Sequence, residues 1–141
     1  MSYRFGLPTF PEDLVPGTDD TLEPWWEATR EQRLVVQHCS ACGEAQHYPR
    51  ALCSHCGAGP ESLRFIDASG TGTVESFTEV HRSPHPNFAV PYVIGLVRLA
   101  EGPVLLTRLV GQSDWACDQS VSIEWWPVGD GRHLPVFRGV I

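Results

Sequence analysis

Two short units, Cys39-Ser40-Ala41-Cys42-Gly43 and Cys53-Ser54-His55-Cys56-Gly57, constrain this chain more than any other feature. Each C-x-x-C-G unit sends two sulfurs out of one tight turn. The closing glycine takes a positive φ and turns backbone N–H groups toward those sulfurs. A tetrahedral ion with four thiolate ligands needs two such turns facing each other, and residues 46–52 are long enough to fold the second back on the first. A disulfide pair or four free thiols are the alternatives, and two glycine-closed units in tandem favour a metal. The reading is a structural zinc site with Cys39, Cys42, Cys53 and Cys56 as ligands. An iron centre of the rubredoxin kind uses the same knuckles. A closed site of this sort organises a scaffold and names no reaction.

The remaining chain can build a modest core. It has 141 residues, 42% of them hydrophobic, so it makes one domain or two small ones. Twelve prolines and thirteen glycines predict many short elements and more strand than helix. No apolar run reaches the length of a membrane span, and no signal peptide is visible at the N-terminus. Thiolates committed to metal, with Cys117 to spare, suit a reducing cytoplasm. The formal charge is −7 and all ten cations are arginines. A chain so acidic is a poor partner for nucleic acid, whose phosphates demand a basic face.

Residues 1–20 mix Pro and acid with spaced apolar side chains (Phe5, Leu7, Phe10, Leu14, Val15). They read as an arm that lies on a partner or on its own body, with the partner preferred. A helix is expected over residues 23–33, with Thr21 as N-cap and Pro24 in the first turn. Trp25 and Trp26 point about 100° apart on a helix, which argues against both entering one small core. One of them is therefore a candidate contact for another chain, with packing on the same chain as the alternative. Residues 34–38 lead into the first knuckle as a strand. His38, His47 and His55 lie near the cysteines and are read as surface residues or as support behind the ligands. Beyond Gly57, β-branched and apolar runs at 63–67, 73–82, 92–100, 104–110, 121–126 and 134–138 alternate with Gly, Pro, Asp and Ser clusters. Gly70-Thr71-Gly72 reads as a turn. This texture predicts a small barrel of the OB type, with an SH3-like barrel as runner-up.

No complete active site is visible. Cys117 sits among Asp114 and Asp118, which would raise a thiol pKa, and no G-x-S-x-G, Walker loop or G-x-G-x-x-G occurs. The loop His81-Arg82-Ser83-Pro84-His85-Pro86-Asn87-Phe88 is the most unusual one. It reads either as the lip of a channel or partner interface, or as a decorated barrel loop.

A Trp-Trp-Glu helix runs into Arg33-Leu34-Val35-Val36-Gln37-His38-Cys39, then the doubled C-x-x-C-G, then Gly70-Thr71-Gly72-Thr73-Val74-Glu75-Ser76-Phe77-Thr78. With His81-Arg82-Ser83-Pro84-His85-Pro86, Pro91-Tyr92-Val93-Ile94-Gly95-Leu96-Val97 and Leu134-Pro135-Val136-Phe137, this closely resembles the zinc-ribbon plus OB-fold accessory proteins that associate with thiolase-superfamily enzymes. The resemblance covers about residues 21–139. It implies a mainly β chain with a short N-terminal helical segment (residues 1–36), a rubredoxin-like zinc ribbon (37–62) and an OB-fold (63–141). It also implies a non-catalytic subunit that binds a thiolase, a synthase or an aldolase acting on acyl-CoA, including steroid side-chain aldolases. Such a subunit forms a heterotetramer with its enzyme and helps shape the acyl-CoA channel, while the catalytic groups belong to the partner. Under that reading Trp25, Trp26, His81, Arg82, His85, Pro86 and Phe88 are expected at the interface or channel wall. Arg30, Arg33, Arg50 and Arg82 are the cations for CoA phosphates. A stand-alone nucleic-acid module and a self-sufficient thioester hydrolase are the competing classes. Neither nucleic acid nor membrane is expected among the partners.

Overall fold

The computed structural model describes residues 7–140. The one α-helix among the described residues, α1 (Glu23–Arg30), ends sooner than the sequence suggests. Gln32 enters the left-handed region at φ 54°, its N–H donates to the Thr29 carbonyl (2.9 Å), and the N–H of Arg33 donates to the Ala28 carbonyl (3.0 Å). These bonds engage the Ala28 and Thr29 carbonyls of the last turn as the helix stops. At its start Leu22 holds the N-cap position without a side-chain cap, so Thr21 is not the cap, and Asp19 holds the preceding turn. The Asp19 side chain accepts the N–H of Leu22 (2.9 Å) and its carbonyl accepts that of Glu23 (2.8 Å).

Two structural bodies flank α1. The ribbon sheet has the order β2-β1-β3, from β1 (Val35–Cys39), β2 (Ala45–Gln46) and β3 (Leu63–Asp67). β3 pairs with β1 over five positions, from Val35↔Asp67 to Cys39↔Leu63. Its hydrogen bonds belong to the ribbon. The barrel consists of β4 (Thr71–Val80), β5 (Tyr92–Leu99), β6 (Val104–Val110), β7 (Ser120–Pro127) and β8 (His133–Gly139), closed in the order β4-β5-β6-β8-β7. The parallel β6–β8 pair and the β4–β7 closure are the OB arrangement, which leaves no free barrel edge. A register shift between Val74 and Ser76 bends β4 as the sheet curls. Gly72, expected in a turn, lies inside β4. A Cβ there would sit 2.4 Å from the Arg98 carbonyl oxygen, so the two backbones approach as only glycine permits.

Both tryptophans of α1 are buried, each 6% exposed, and meet edge to face at 4.8 Å. They share one core after all, for a simple reason. The helix is wedged between ribbon and barrel, so two of its faces are covered: Trp25 lies beside His47 of the ribbon (5.8 Å), and Trp26 lies under the Arg132 guanidinium (4.6 Å). Thr29 locks the helix to β8 by accepting the N–H of His133 at its Oγ1 (3.2 Å), while its carbonyl meets His133 Nδ1 at 2.8 Å. One core therefore runs from Trp25, Trp26 and Val36 to Val97, Leu109 and Phe137.

A second apolar cluster covers the outside of the barrel. Val110, Trp126 and Val136 are capped there by Phe10, Leu7, Leu14 and Val15 of the arm and by Phe88 of the 81–88 loop. Phe10 meets Trp126 edge-on at 4.9 Å, and Trp126 Nε1–H donates to the Pro8 carbonyl (2.8 Å). Farther along, Arg132 donates to the Pro16 carbonyl (2.6 Å). The arm was expected to favour a partner; residues 7–16 instead lie on their own barrel, because its outer face offers apolar side chains to bury. Phe5 falls outside the described residues.

Candidate metal centre

The two knuckles repeat one backbone pattern. Cys39 N–H donates to the Glu44 carbonyl (2.9 Å) and Gly43 N–H to the Cys39 carbonyl (2.8 Å). Cys53 N–H donates to the Ala58 carbonyl (3.0 Å) and Gly57 N–H to the Cys53 carbonyl (2.9 Å). Both turns close only through a left-handed residue, supplied by Gly43 at φ 80° and Gly57 at φ 79°. The four sulfurs lie within 4.8 Å of one another, with Cys39–Cys56 and Cys42–Cys53 both 3.7 Å apart. A disulfide needs about 2.05 Å, so these are not bonded pairs. Tetrahedral zinc with Zn–S lengths of about 2.3 Å sets S···S edges of about 3.8 Å, which these contacts match.

Electrostatics point the same way. The backbone N–H of Cys56, then that of His55, draws the Cys53 thiol down to about 6. Cys42 is pushed up to about 12, the Glu44 amide favouring its thiolate while desolvation and the neighbouring sulfurs oppose it. Four adjacent sulfurs cannot all ionise without a cation, and a dication removes that conflict.

Two buried glutamines hold the second knuckle to the first. Gln46 Nε2 donates to Gln37 Oε1 (2.7 Å) and to the Leu52 carbonyl (3.2 Å), while Gln46 Oε1 accepts from the backbone N–H (2.8 Å) and hydroxyl (2.9 Å) of Ser54. Gln37 bonds both backbone groups of Arg50, accepting its N–H (2.7 Å) and donating to its carbonyl (2.9 Å). The sequence reading passed over both residues. Their signal was a pair of polar amides on either side of the first knuckle, Gln37 directly after Leu34-Val35-Val36.

Of the three nearby histidines, His55 is exposed and His38 half-buried. His47 is also half-buried. It packs on Trp25, and burial drives its imidazole down to about 4, so it is neutral at physiological pH.

The remaining site residues are not gathered into one place. His81 and Arg82 are exposed, His81 facing Glu79 at 3.2 Å. His85 turns toward the arm: its Nδ1 accepts the N–H of Asn87 (3.1 Å) and its Nε2 meets Asp13 at 3.3 Å. Asn87 also donates to Asp13 (3.1 Å), and Ser83 Oγ donates to the Phe88 carbonyl (2.6 Å). Pro86 is exposed, and Phe88 lies half-buried against Tyr92 at 5.9 Å. Arg30 pairs with Glu27 (3.1 Å) and donates to the Asp130 carbonyl (2.8 Å), and Arg33 lies between Glu31 (3.5 Å) and Asp67 (3.4 Å). Among the described residues the exposed Arg50 and Arg82 side chains carry no such ion pair. Beneath the outer cover, Arg108 is 7% exposed, with its guanidinium 4.1 Å from the Tyr92 ring centroid, 4.6 Å from that of Trp126 and 5.6 Å from that of Phe88.

Comparison with known proteins places these two bodies together. Residues 26–61 match the ChsH2 rubredoxin-like zinc ribbon domain, and residues 65–125 match the ChsH2 C-terminal OB-fold domain. The chain is 40% identical over 119 residues to a probable enoyl-CoA hydratase alpha subunit of Thermomonospora curvata, covering 83% of this chain and 37% of that protein. It is 32% identical over 109 residues to the 3-oxo-4,17-pregnadiene-20-carboxyl-CoA hydratase alpha subunit of Mycobacterium tuberculosis, covering 72% and 33%. It thus spans about a third of the length of both curated relatives. Among solved structures it is similar to a chain of the Ltp2–ChsH2(DUF35) aldolase, with a TM-score of 0.80 and 37% identity over 90% of this chain and 100% of that one. On the four-cysteine ribbon, the closed OB barrel and this match along the full length of a solved relative, the chain belongs to the ChsH2-type DUF35 family of zinc-ribbon plus OB-fold proteins.

Proposed function

We propose that this chain is a non-catalytic accessory subunit that binds a thiolase-superfamily enzyme acting on acyl-CoA, supports it and contributes to its acyl-CoA channel. The observation that carries the reading is the joint match of ribbon and barrel to a chain that sits in an aldolase assembly. Relatives named as alpha subunits of CoA-thioester hydratases support the same class of role. The substrate is an acyl-CoA, with a steroid side-chain thioester as one member of that class. The assembly is a heterotetramer built on an enzyme dimer. Zinc is structural here: the four sulfurs close its coordination sphere and leave no position for substrate.

The 81–88 loop stands at the edge of this proposal as interface or channel wall, presenting His81, Arg82 and Pro86 to solvent. Of the cations proposed for CoA phosphates, Arg50 and Arg82 are the better placed, since Arg30 and Arg33 already face carboxylates of their own chain. Stacking of single-stranded nucleic acid on the barrel is disfavoured by the cover over Tyr92 and Trp126.

Tagged chain recovered from its source lysate, with mass spectrometry and zinc analysis of the eluate, tests the reading. A thiolase-like enzyme at near-equal amount, active on acyl-CoA only in the complex, is the expected result. A chain that elutes alone and zinc-loaded contradicts it.

A further inference from the structure

The ribbon, α1, the arm and the barrel meet around an apolar groove. Its volume is about 270 Å³, and its walls include Trp25, Pro49, Leu105 and Pro135, with Tyr48 and Leu106 at the rim. Those two rim residues are 54% and 57% exposed. Leu96 stands opposite Leu106 in the β5–β6 register and is 38% exposed, so the apolar surface continues out of the groove onto the barrel. Large aliphatic and aromatic side chains left in water side by side mark a surface meant to be covered.

The groove's flank has a definite charge. Its wall includes Pro16, Gly17, Leu22, Trp25 and Trp26, all from one segment. Within that segment Asp19, Asp20 and Glu23 are exposed, and no basic residue occurs between positions 7 and 29, while Asp13 is engaged by His85 and Asn87 and Glu27 is paired with Arg30. Within the groove itself Trp25 Nε1–H and His47 Nδ1 have no hydrogen-bond partner. An apolar trough beside an acidic bank selects its occupant by both properties.

We infer that this groove is where the enzyme subunit docks, and that the enzyme presents to it apolar side chains flanked by Arg or Lys. The inference rests on the accessory-subunit reading and relocates its main contact. The anchors are Tyr48, Leu106 and Leu96, and the 81–88 loop is secondary. A net charge of −7 works against a second copy of this chain as occupant.

Two measurements test it, and they fail separately. First, a synthetic amphipathic peptide of leucine and lysine, and a leucine–glutamate counterpart, are titrated into zinc-loaded protein while backbone amide shifts are followed. The lysine peptide is expected to shift the amides around Tyr48, Leu106 and Leu134 and to weaken with salt. Leu106→Glu and Tyr48→Glu are each expected to reduce its affinity about tenfold, although both substitutions add negative charge. Val140→Glu, at an exposed apolar residue outside the groove, is expected to change little. Equal binding of both peptides, no binding, shifts mapping elsewhere, or self-association abolished by Leu106→Glu each overturn the assignment. Second, the co-purification is repeated with Leu106→Glu, with melting temperature and zinc content confirming its fold. Enzyme recovered with wild-type chain but lost with the variant supports the site. Enzyme retained by the variant sinks the site and leaves the accessory role standing. If wild-type chain recovers no enzyme, the accessory role falls, and the peptide titration still decides the groove.

Discussion

Replacing Gln46 by Met tests whether the glutamine pair, and not the cysteines alone, sets the affinity for zinc. Methionine keeps the length and volume of the side chain but removes four hydrogen bonds: to Gln37, to the Leu52 carbonyl, and from the N–H and hydroxyl of Ser54. The Gln37 carbonyl oxygen keeps the Arg50 N–H, so it is not stranded. At about 1 kcal/mol for each bond, less the share that water restores at the exposed Leu52 and Ser54, the loss is about 2–3 kcal/mol. Those bonds position Cys53 and Cys56 against Cys39 and Cys42 before the metal arrives. Because metal binding and ribbon folding are coupled, the loss appears in the zinc dissociation constant, as a rise of roughly 30- to 150-fold. Competition with a chromophoric chelator at fixed pH measures it. A dissociation constant within about threefold of wild type, with the barrel intact, would refute the reasoning.

Cys39→Ser removes one of four ligands and is expected to release zinc and unfold the ribbon, seen as metal loss by elemental analysis and lost amide dispersion for residues 35–67; retained zinc would contradict the closed site. His47 is held neutral by burial, with its pKa lowered to about 4. Unfolding therefore takes up a proton as pH falls from about 6.5 toward 4, so acid costs stability, by up to about 3 kcal/mol, and the contribution is complete above about 6.5. Comparing denaturant midpoints of wild type and His47→Leu across that window isolates this effect from acid release of zinc, and parallel curves would argue against it. Arg108→Met is expected to change stability by less than about 1 kcal/mol, because the stacking on Tyr92, Trp126 and Phe88 is offset by a buried Nη1 without a partner. Arg108→Ala opens a void there and is expected to cost about 2–4 kcal/mol by chemical denaturation. Gly43→Ala meets no atom within 4 Å and pays only for its positive φ, about 1 kcal/mol, whereas Gly72→Ala meets the Arg98 carbonyl and is expected to destabilise more in the same assay.

The sequence by itself determined the metal centre, because ligand spacing and the glycine after each knuckle are local requirements that a few neighbouring residues meet alone. It determined the barrel strands nearly as well. Alternation and Gly/Pro punctuation placed β6 and the body of β5 and β8 without any knowledge of their neighbours. What it did not carry were facts that exist only when distant segments meet. Leu63–Asp67 reads as a strand, and its pairing with Val35–Cys39 is seen only in the folded chain. Two tryptophans 100° apart look incompatible with one core until the helix is seen between two bodies. The arm was judged by its composition, yet what holds residues 7–16 is the outer face of a barrel formed more than a hundred residues later, through Trp126, Val136 and Arg132. The groove beside Tyr48 and Leu106 has walls from four separate stretches of chain. Periodicity reports which face of an element is apolar, while which neighbour covers that face is a property of the assembled fold.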